Sequence, residues 1–319
     1  MNVAACLLLY SFAVAVLAPR LLVRLTRAGI APRLGVAAWL IAIGSVVLSW
    51  IVAVAFVLGE LALAWDRPGA VLSSCFATLR SVATGAHGVA VQSGVLTLAG
   101  LAAAALGVLG WRLARSLLRS RVGTHAHADL ARAVGHPLPG SDAVVLPAAE
   151  RLAYCVAGRP SAIVVTTAAL DALDKRHLDA VLAHERAHLT GRHHLALAFS
   201  RGLATILPRV ELFTTGSVEV ARLLEMCADD AAVREHGRRT VLGAMLALSA
   251  SAPVPADALG ATGGSVIARA ERLTAPPARA RQWRTSLCLV AAAVVLTAGP
   301  ATVAVFAATG LTLCNPPTG

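Results

Sequence analysis

Residues 178–194 read LDAVLAHERAHLTGRHH and contain His184-Glu185-Arg186-Ala187-His188, an H-E-x-x-H pattern. Residues four apart on an α-helix share a face, so both imidazoles can point at one Zn²⁺ while Glu185 reaches the attacking water. At this composition the pattern arises by chance in about one chain in a hundred, so its context has to decide. That context is helical. Asp174 suits an N-cap, Leu178, Val181, Leu182, Glu185 and Leu189 keep helical spacing, and Gly191 can end the helix. Glu185 falls in phase with the apolar positions, where a carboxylate needs a proton, an ion or a hydrogen-bond partner. A role in proton transfer supplies one.

Outside this helix the chain has the composition of a membrane protein. Of its 319 residues 57% are hydrophobic and 14% charged, and the mean hydropathy is +0.72. A soluble domain carries about a quarter charged residues. The net charge of +11 comes from Arg gathered beside apolar runs, where it faces anionic headgroups, so nucleic acid is not an expected partner and the bilayer is. The six Cys form no C-x-x-C pair, which gives no thiolate zinc site and no thioredoxin-like motif.

Four spans of about 20 residues follow from the uncharged runs, over residues 1–18, 34–59, 88–111 and 286–308. The first run has no basic residues before it and Arg20, Arg24, Arg27 and Arg33 after it, which argues for a retained span rather than a signal peptide. Arg112, Arg115, Arg119 and Arg121 follow the third run. The positive-inside rule then places residues 20–33 and 112–121 in the cytoplasm, residues 66–87 outside, and both termini outside. On this outer face Cys75 and Cys314 could form a disulfide. Three domains result: the first three spans in residues 1–122, a cytoplasmic insert in 123–284, and the fourth span with a short external tail in 285–319.

Within the insert, residues 151–156 and 162–167 read as short strands joined by a turn at Gly158-Arg159-Pro160. Residues 195–207 are apolar apart from Arg201 and stop at Pro208, so they are buried, lie on the membrane or partly enter it. Residues 217–237 read as a helix, residues 252–264 as a linker rich in Pro, Gly and Ala, and residues 266–273 as a short basic helix. The fold class expected is mainly α: a polytopic membrane protein with about four transmembrane helices and an α+β insert between spans three and four.

A catalytic zinc site needs a third protein ligand and leaves a fourth position for water. The second helix offers Glu225 as a ligand, with Asp229 four residues on to hydrogen-bond the outer nitrogen of a ligand His. Glu219 and Glu211 are rival ligands, and Asp230 a rival for Asp229. The expected set is His184, His188 and Glu225 around one catalytic Zn²⁺, with Glu185 as general base and acid in peptide hydrolysis. His236, near Gly237, is a candidate for stabilising the oxyanion, against a structural role. His193 and His194 suit capping at the end of the first helix better than metal binding.

The segments HERAHLTGRHH and CADDAAVREHG, with Glu225-x-x-x-Asp229 in an insert between spans, resemble the BlaR/MecR-type integral-membrane zinc metallopeptidases, relatives of the HtpX and CAAX-prenyl proteases. The resemblance extends over essentially the whole chain. It implies a zincin-like protease insert of gluzincin type between spans three and four, zinc ligation by His184, His188 and Glu225, acid/base catalysis by Glu185, and a role in signal transduction. The beta-lactam sensors of that family carry a penicillin-binding domain after the fourth span, where this sequence has a few residues such as Cys314 and Asn315. Beta-lactam sensing therefore does not transfer, and a separate sensor partner is expected instead. The substrate expected is a cytoplasmic regulator or a membrane protein, and the location a bacterial-type cell membrane. The competing reading is a non-catalytic membrane signalling or scaffold protein with a structural metal. A transporter is disfavoured by the lack of intramembrane charge pairs.

Overall fold

The computed structural model describes residues 3–63, 88–249, 263–275 and 278–313. Residues 75 and 314 lie outside these, as does most of the linker expected over residues 252–264. Among the described residues four helices are long and apolar enough to cross a membrane: α1 (Val3–Thr26), α2 (Pro32–Leu63), α3 (Gly88–Val134) and the last, α10 (Arg279–Leu313). Each is longer than the span expected from its uncharged run. Helix α1 continues through Pro19 to Thr26, and α3 runs unbroken across the compositional boundary at Gly123. Helix geometry needs no apolar residue, so a change from apolar to polar composition does not end a helix.

The outer faces of these helices are apolar. Phe12 and Leu17 on α1, Ile51 on α2, Leu98 and Leu101 on α3, and Val294 and Val295 on α10 are all more than half exposed. Exposed apolar side chains along helices of this length and composition suggest a membrane protein. Side-chain hydrogen bonds tie the helices together, with Tyr10 Oη donating to the Leu296 carbonyl at 3.0 Å and Trp50 Nε1 to Ser11 Oγ at 3.1 Å. Such bonds matter where lipid offers no alternative partner.

A small sheet follows α3. Its strands are β1 (His136–Pro137), β2 (Ala143–Leu146), β3 (Ala153–Val156) and β4 (Ala162–Thr166), in the order β1-β2-β4-β3. Strand β4 runs parallel to β2, with Ala143 opposite Ile163, and antiparallel to β3, with Ala153 opposite Val165. All five β4 residues are buried. Ile163 and Val165 pack toward Leu182, while Val164 meets Ala128 and Ala131 on the extension of α3. The extension thus covers one face of the sheet. The two strands expected from the sequence are present, and β1 and β2 were too short and too turn-rich to show as periodic runs.

Five further helices complete the insert: α4 (Thr167–Ala172), α5 (Lys175–Thr190), α6 (His193–Ile206), α7 (Glu211–His236) and α8 (Arg238–Ser249), with α9 (Gly263–Thr274) after the linker. Helix α6 packs against α3 and α7, with Ser200, Gly202 and Leu203 buried and Leu195 exposed. Leu203 of α6 and Leu212, Phe213, Val220 and Leu223 of α7 share one core with Trp39, Ile43 and Val46 of α2 and Leu22 of α1. Gly216 lets α7 lie directly against Trp39 and Ile43, and Phe213 meets Trp50 edge to face, with ring centroids 6.0 Å apart. The first half of α7 therefore belongs to the membrane-helix bundle and its second half to the insert.

Candidate metal centre

The site is built where α5 crosses α7. Helix α5 starts where Asp174 Oδ1 accepts from the His177 backbone N–H at 2.8 Å and ends at Gly191. Its inner face carries His184, Glu185 and His188. Glu225, eight residues after Ser217 on α7, is turned toward them.

The three donor residues His184, His188 and Glu225 have ligand atoms all within 4.8 Å of one another. The two Nε2 atoms are 3.2 Å apart, and each lies 3.5 Å from a Glu225 carboxylate oxygen. In a tetrahedral zinc shell with bonds of 2.0–2.1 Å, neighbouring ligand atoms are separated by about 3.3–3.4 Å. Spacing and donor chemistry therefore both fit zinc. The other candidates are placed elsewhere. Glu219 accepts from Arg222 at 2.7 Å and from the Thr26 hydroxyl at 3.1 Å, and Glu211 is exposed in the first turn of α7.

Behind the donors lies a chain of polar contacts. His184 Nδ1 is 3.1 Å from Asp229 Oδ1, which leaves Nε2 facing the cluster. Asp229 is buried and takes a bidentate pair from Arg269 of α9, at 2.8 and 2.6 Å. Arg269 also reaches Glu225 Oε2 at 3.1 Å. Asp230 instead binds Arg272 at 2.6 Å, and Arg272 donates to the Gly29 carbonyl between α1 and α2. Two arginines three residues apart on α9 thus clip onto the Asp229-Asp230 pair. Arg269 was missed from the sequence, because its pairing with Asp229 spans 40 residues.

His193 was missed as well. It is the first residue of α6 rather than a cap for α5, and its Nδ1 lies 2.9 Å from His188 Nδ1. Its ring packs over Gly191, where a Cβ would collide with it. Gly191 has an ordinary right-handed conformation, φ −73°, so the glycine is needed for this close approach and not for its backbone angle. His194 remains exposed at the rim.

His236 does not join the site. It ends α7 eleven residues after Glu225, about 16 Å further along the helix axis, and its nearest charged neighbour is Glu235 at 3.9 Å. Cys155 of β3 is the neighbour of Glu185 instead, with its thiol and backbone within hydrogen-bonding reach of the carboxyl.

Electrostatics separate the members of the cluster. Burial disfavours a charged His184, but hydrogen bonds to Asp229 and Glu225 outweigh it and lift the imidazole to about 9. Burial pushes His188 down to about 4. Burial also works against ionised Glu225, yet its hydrogen bond with His184 and the Arg269 charge hold it at about 2. Asp229 stays well below the usual carboxylate range because Arg269 and His184 outweigh its burial. Glu185 moves the other way: burial raises it, and the charge of His184 only partly offsets this. Ionised Glu225 and Asp229 beside a carboxyl with raised proton affinity are what metal binding and proton transfer respectively require.

The donors stand between two cavities. One, of about 210 Å³, lies among Val181, Val241, Ala244, Met245, Leu248 and Val266 and reaches His184 and Glu185. The other, of about 320 Å³, is lined by Tyr154, Cys155, His188, His193 and Leu197. Ala153 of β3 borders both, so a cleft runs along that strand. Strand β4 is hydrogen-bonded on both sides, and the sheet edge facing the cleft is that of β3.

No curated protein and no solved structure matches the chain. Residues 124–261 match the family model described as Peptidase family M48, a segment that holds the sheet and α4 to α8 with all three donor residues and Glu185. Members of that family are zinc-dependent, and the match indicates a metallopeptidase domain in this chain.

Proposed function

We propose that the chain is a membrane-embedded zinc endopeptidase that cuts a cytoplasmic regulator or a membrane protein. The observation that carries this reading is the convergence of His184, His188 and Glu225 beside Glu185 in a cleft bordered by the edge of β3. The Arg asymmetry of residues 20–33 and 112–121 supports a cytoplasmic cleft with both termini outside. The kinship within this reading is to the BlaR/MecR type, carried by HERAH, Glu225-x-x-x-Asp229 and the four flanking span-like helices.

His184, His188 and Glu225 would hold the ion, which when bound supplies a Lewis acid that makes water more acidic and a carbonyl more electrophilic. Glu185 receives the proton of the attacking water on a carboxylate oxygen and delivers it to the departing amide nitrogen. Its burial favours the proton-accepting step. Asp229, held ionised by Arg269, fixes the His184 tautomer, and His193 orients His188 in the same manner. An extended substrate lies along β3 by strand addition, with one apolar side chain in the cavity formed by Val181, Val241, Met245 and Leu248.

The test is the E185Q protein. It is expected to retain one zinc per chain while proteolysis falls by about 10²–10⁴-fold. The probe is the comparison of new protein termini in cells expressing the native chain and E185Q. Equal sets of termini would remove the enzyme assignment and leave a structural metal.

A further inference from the structure

A third cavity lies behind α5, on the side away from the donor residues, where α5, α6 and α7 meet the start of α2. Its volume is about 770 Å³, within the range of about 300–1,000 Å³ typical of ligand sites. We propose that it binds an anionic phospholipid, with the phosphate held by Arg33, Arg186 and Arg234 and the upper acyl region against Val36, Leu40 and Leu224.

The polarity of the cavity is aligned with the membrane. On α2, Arg33 occupies the first turn and Leu40 lies seven residues on, about 10 Å further into the span. Helix α7 runs in the opposite sense, from Phe213 beside Trp50 to Leu223 beside Gly35. Arg234 is ten residues beyond Leu224 and thus about 15 Å further from the bundle. The apolar end therefore opens beside the span and the cationic end outside it.

Three Arg and one acid, Glu235, line the cavity. Asp142 accepts from Arg186 through Nε and Nη2, at 3.1 and 2.6 Å, which fixes that guanidinium and shares its charge. Arg33 and Arg234 form no ion pair among the described residues, so two cations are available to a ligand. Arg presents a planar fork suited to phosphate, and basic pockets beside spans favour anionic headgroups. A soluble phosphate would satisfy the cations and leave the apolar end uncovered; a phospholipid satisfies both. His193 also lines the cavity, so the occupant touches the residue that contacts His188.

This inference rests on α2 being a membrane span and is independent of proteolysis. The full chain in neutral detergent is titrated with dioleoylphosphatidylglycerol, dioleoylphosphatidylcholine or inorganic phosphate. Bound lipid is counted by native mass spectrometry, and thermal unfolding is followed with each addition. Phosphatidylglycerol is expected to saturate one site at least tenfold more tightly than phosphatidylcholine and to raise the unfolding temperature. R33Q/R234Q should abolish the preference, and R115Q/R119Q on α3 should keep it. L40W, which fills the apolar end, should weaken lipid binding with the arginines intact. E185Q should bind lipid as the native chain does, so loss of catalysis cannot be mistaken for loss of this site. Equal binding of the two lipids by the native chain overturns the proposal without any variant. So does an unchanged preference in R33Q/R234Q, or equal stabilisation by phosphate alone.

Discussion

Helix α5 is 16 residues long, capped by Asp174, and places two imidazoles on one face through the four-residue spacing of His184 and His188. Helix α7 is 26 residues long, has no side-chain cap, and has its first turns packed among α1 and α2. The first helix positions its donors by local geometry. The second positions Glu225 by packing on distant residues and by Arg269, which arrives from α9. One half of the site is thus local in sequence and the other half is assembled by the tertiary fold.

The comparison can be broken most severely at Arg269. R269M leaves buried Asp229 without its bidentate partner and is expected to cost about 3–5 kcal/mol of stability. It should also lower zinc affinity by about 10–100-fold, since the His184 orienter is loosened. Calorimetry and competition with a zinc chelator measure the two effects. Unchanged zinc affinity would mean that packing of α7 suffices to hold its half.

Acidity acts on the α5 half. With His184 lifted to about 9, His188 near 4 and Glu225 near 2, only His184 has a proton to release on metal binding between pH 6 and 8. The raised value means that the protonated form competes with zinc below about pH 9. Affinity should therefore rise about tenfold per pH unit, or about 100-fold from pH 6 to 8, and level off above 9. A flat profile in a chelator titration would show that metal binding displaces no proton from His184 in this range.

Smaller effects separate the two helices. A Cβ at Gly216 would lie 3.0 Å from Ile43 Cδ1 and 3.2 Å from the Trp39 ring, so G216V should cost about 1–3 kcal/mol by overpacking. It should also weaken zinc binding by shifting Glu225. D174A removes the α5 cap and should lower stability by less than G216V does, with zinc affinity unchanged because the spacing within α5 survives. Equal zinc affinity in both variants would erase the distinction.

What could be read from the sequence follows the same division. Helix α5, its cap, its end and its donor spacing are all local patterns, and the four apolar runs are as plain. Glu225 and Asp229 were accessible because they too are four residues apart. Arg269 lies 40 residues beyond Asp229, and no periodicity connects them. His193 looked like a charge at a helix end because its partner His188 becomes visible only when the chain turns at Arg192, in a left-handed conformation with φ 50°. His236 was drawn in by its type and its place after α7, but a helix carries such a residue away at a fixed rise per residue.

That fixed rise makes α7 a ruler. Phe213 is seated against Trp50 of α2 and Glu225 follows twelve residues later, about 18 Å along one unbroken helix. The height of the donors relative to the spans is therefore written in residue count. One inserted residue between these positions would advance Glu225 by about 1.5 Å and swing it by about 100°, out of reach of both imidazoles. The length of this interval is as much a part of the site as the side chains that form it.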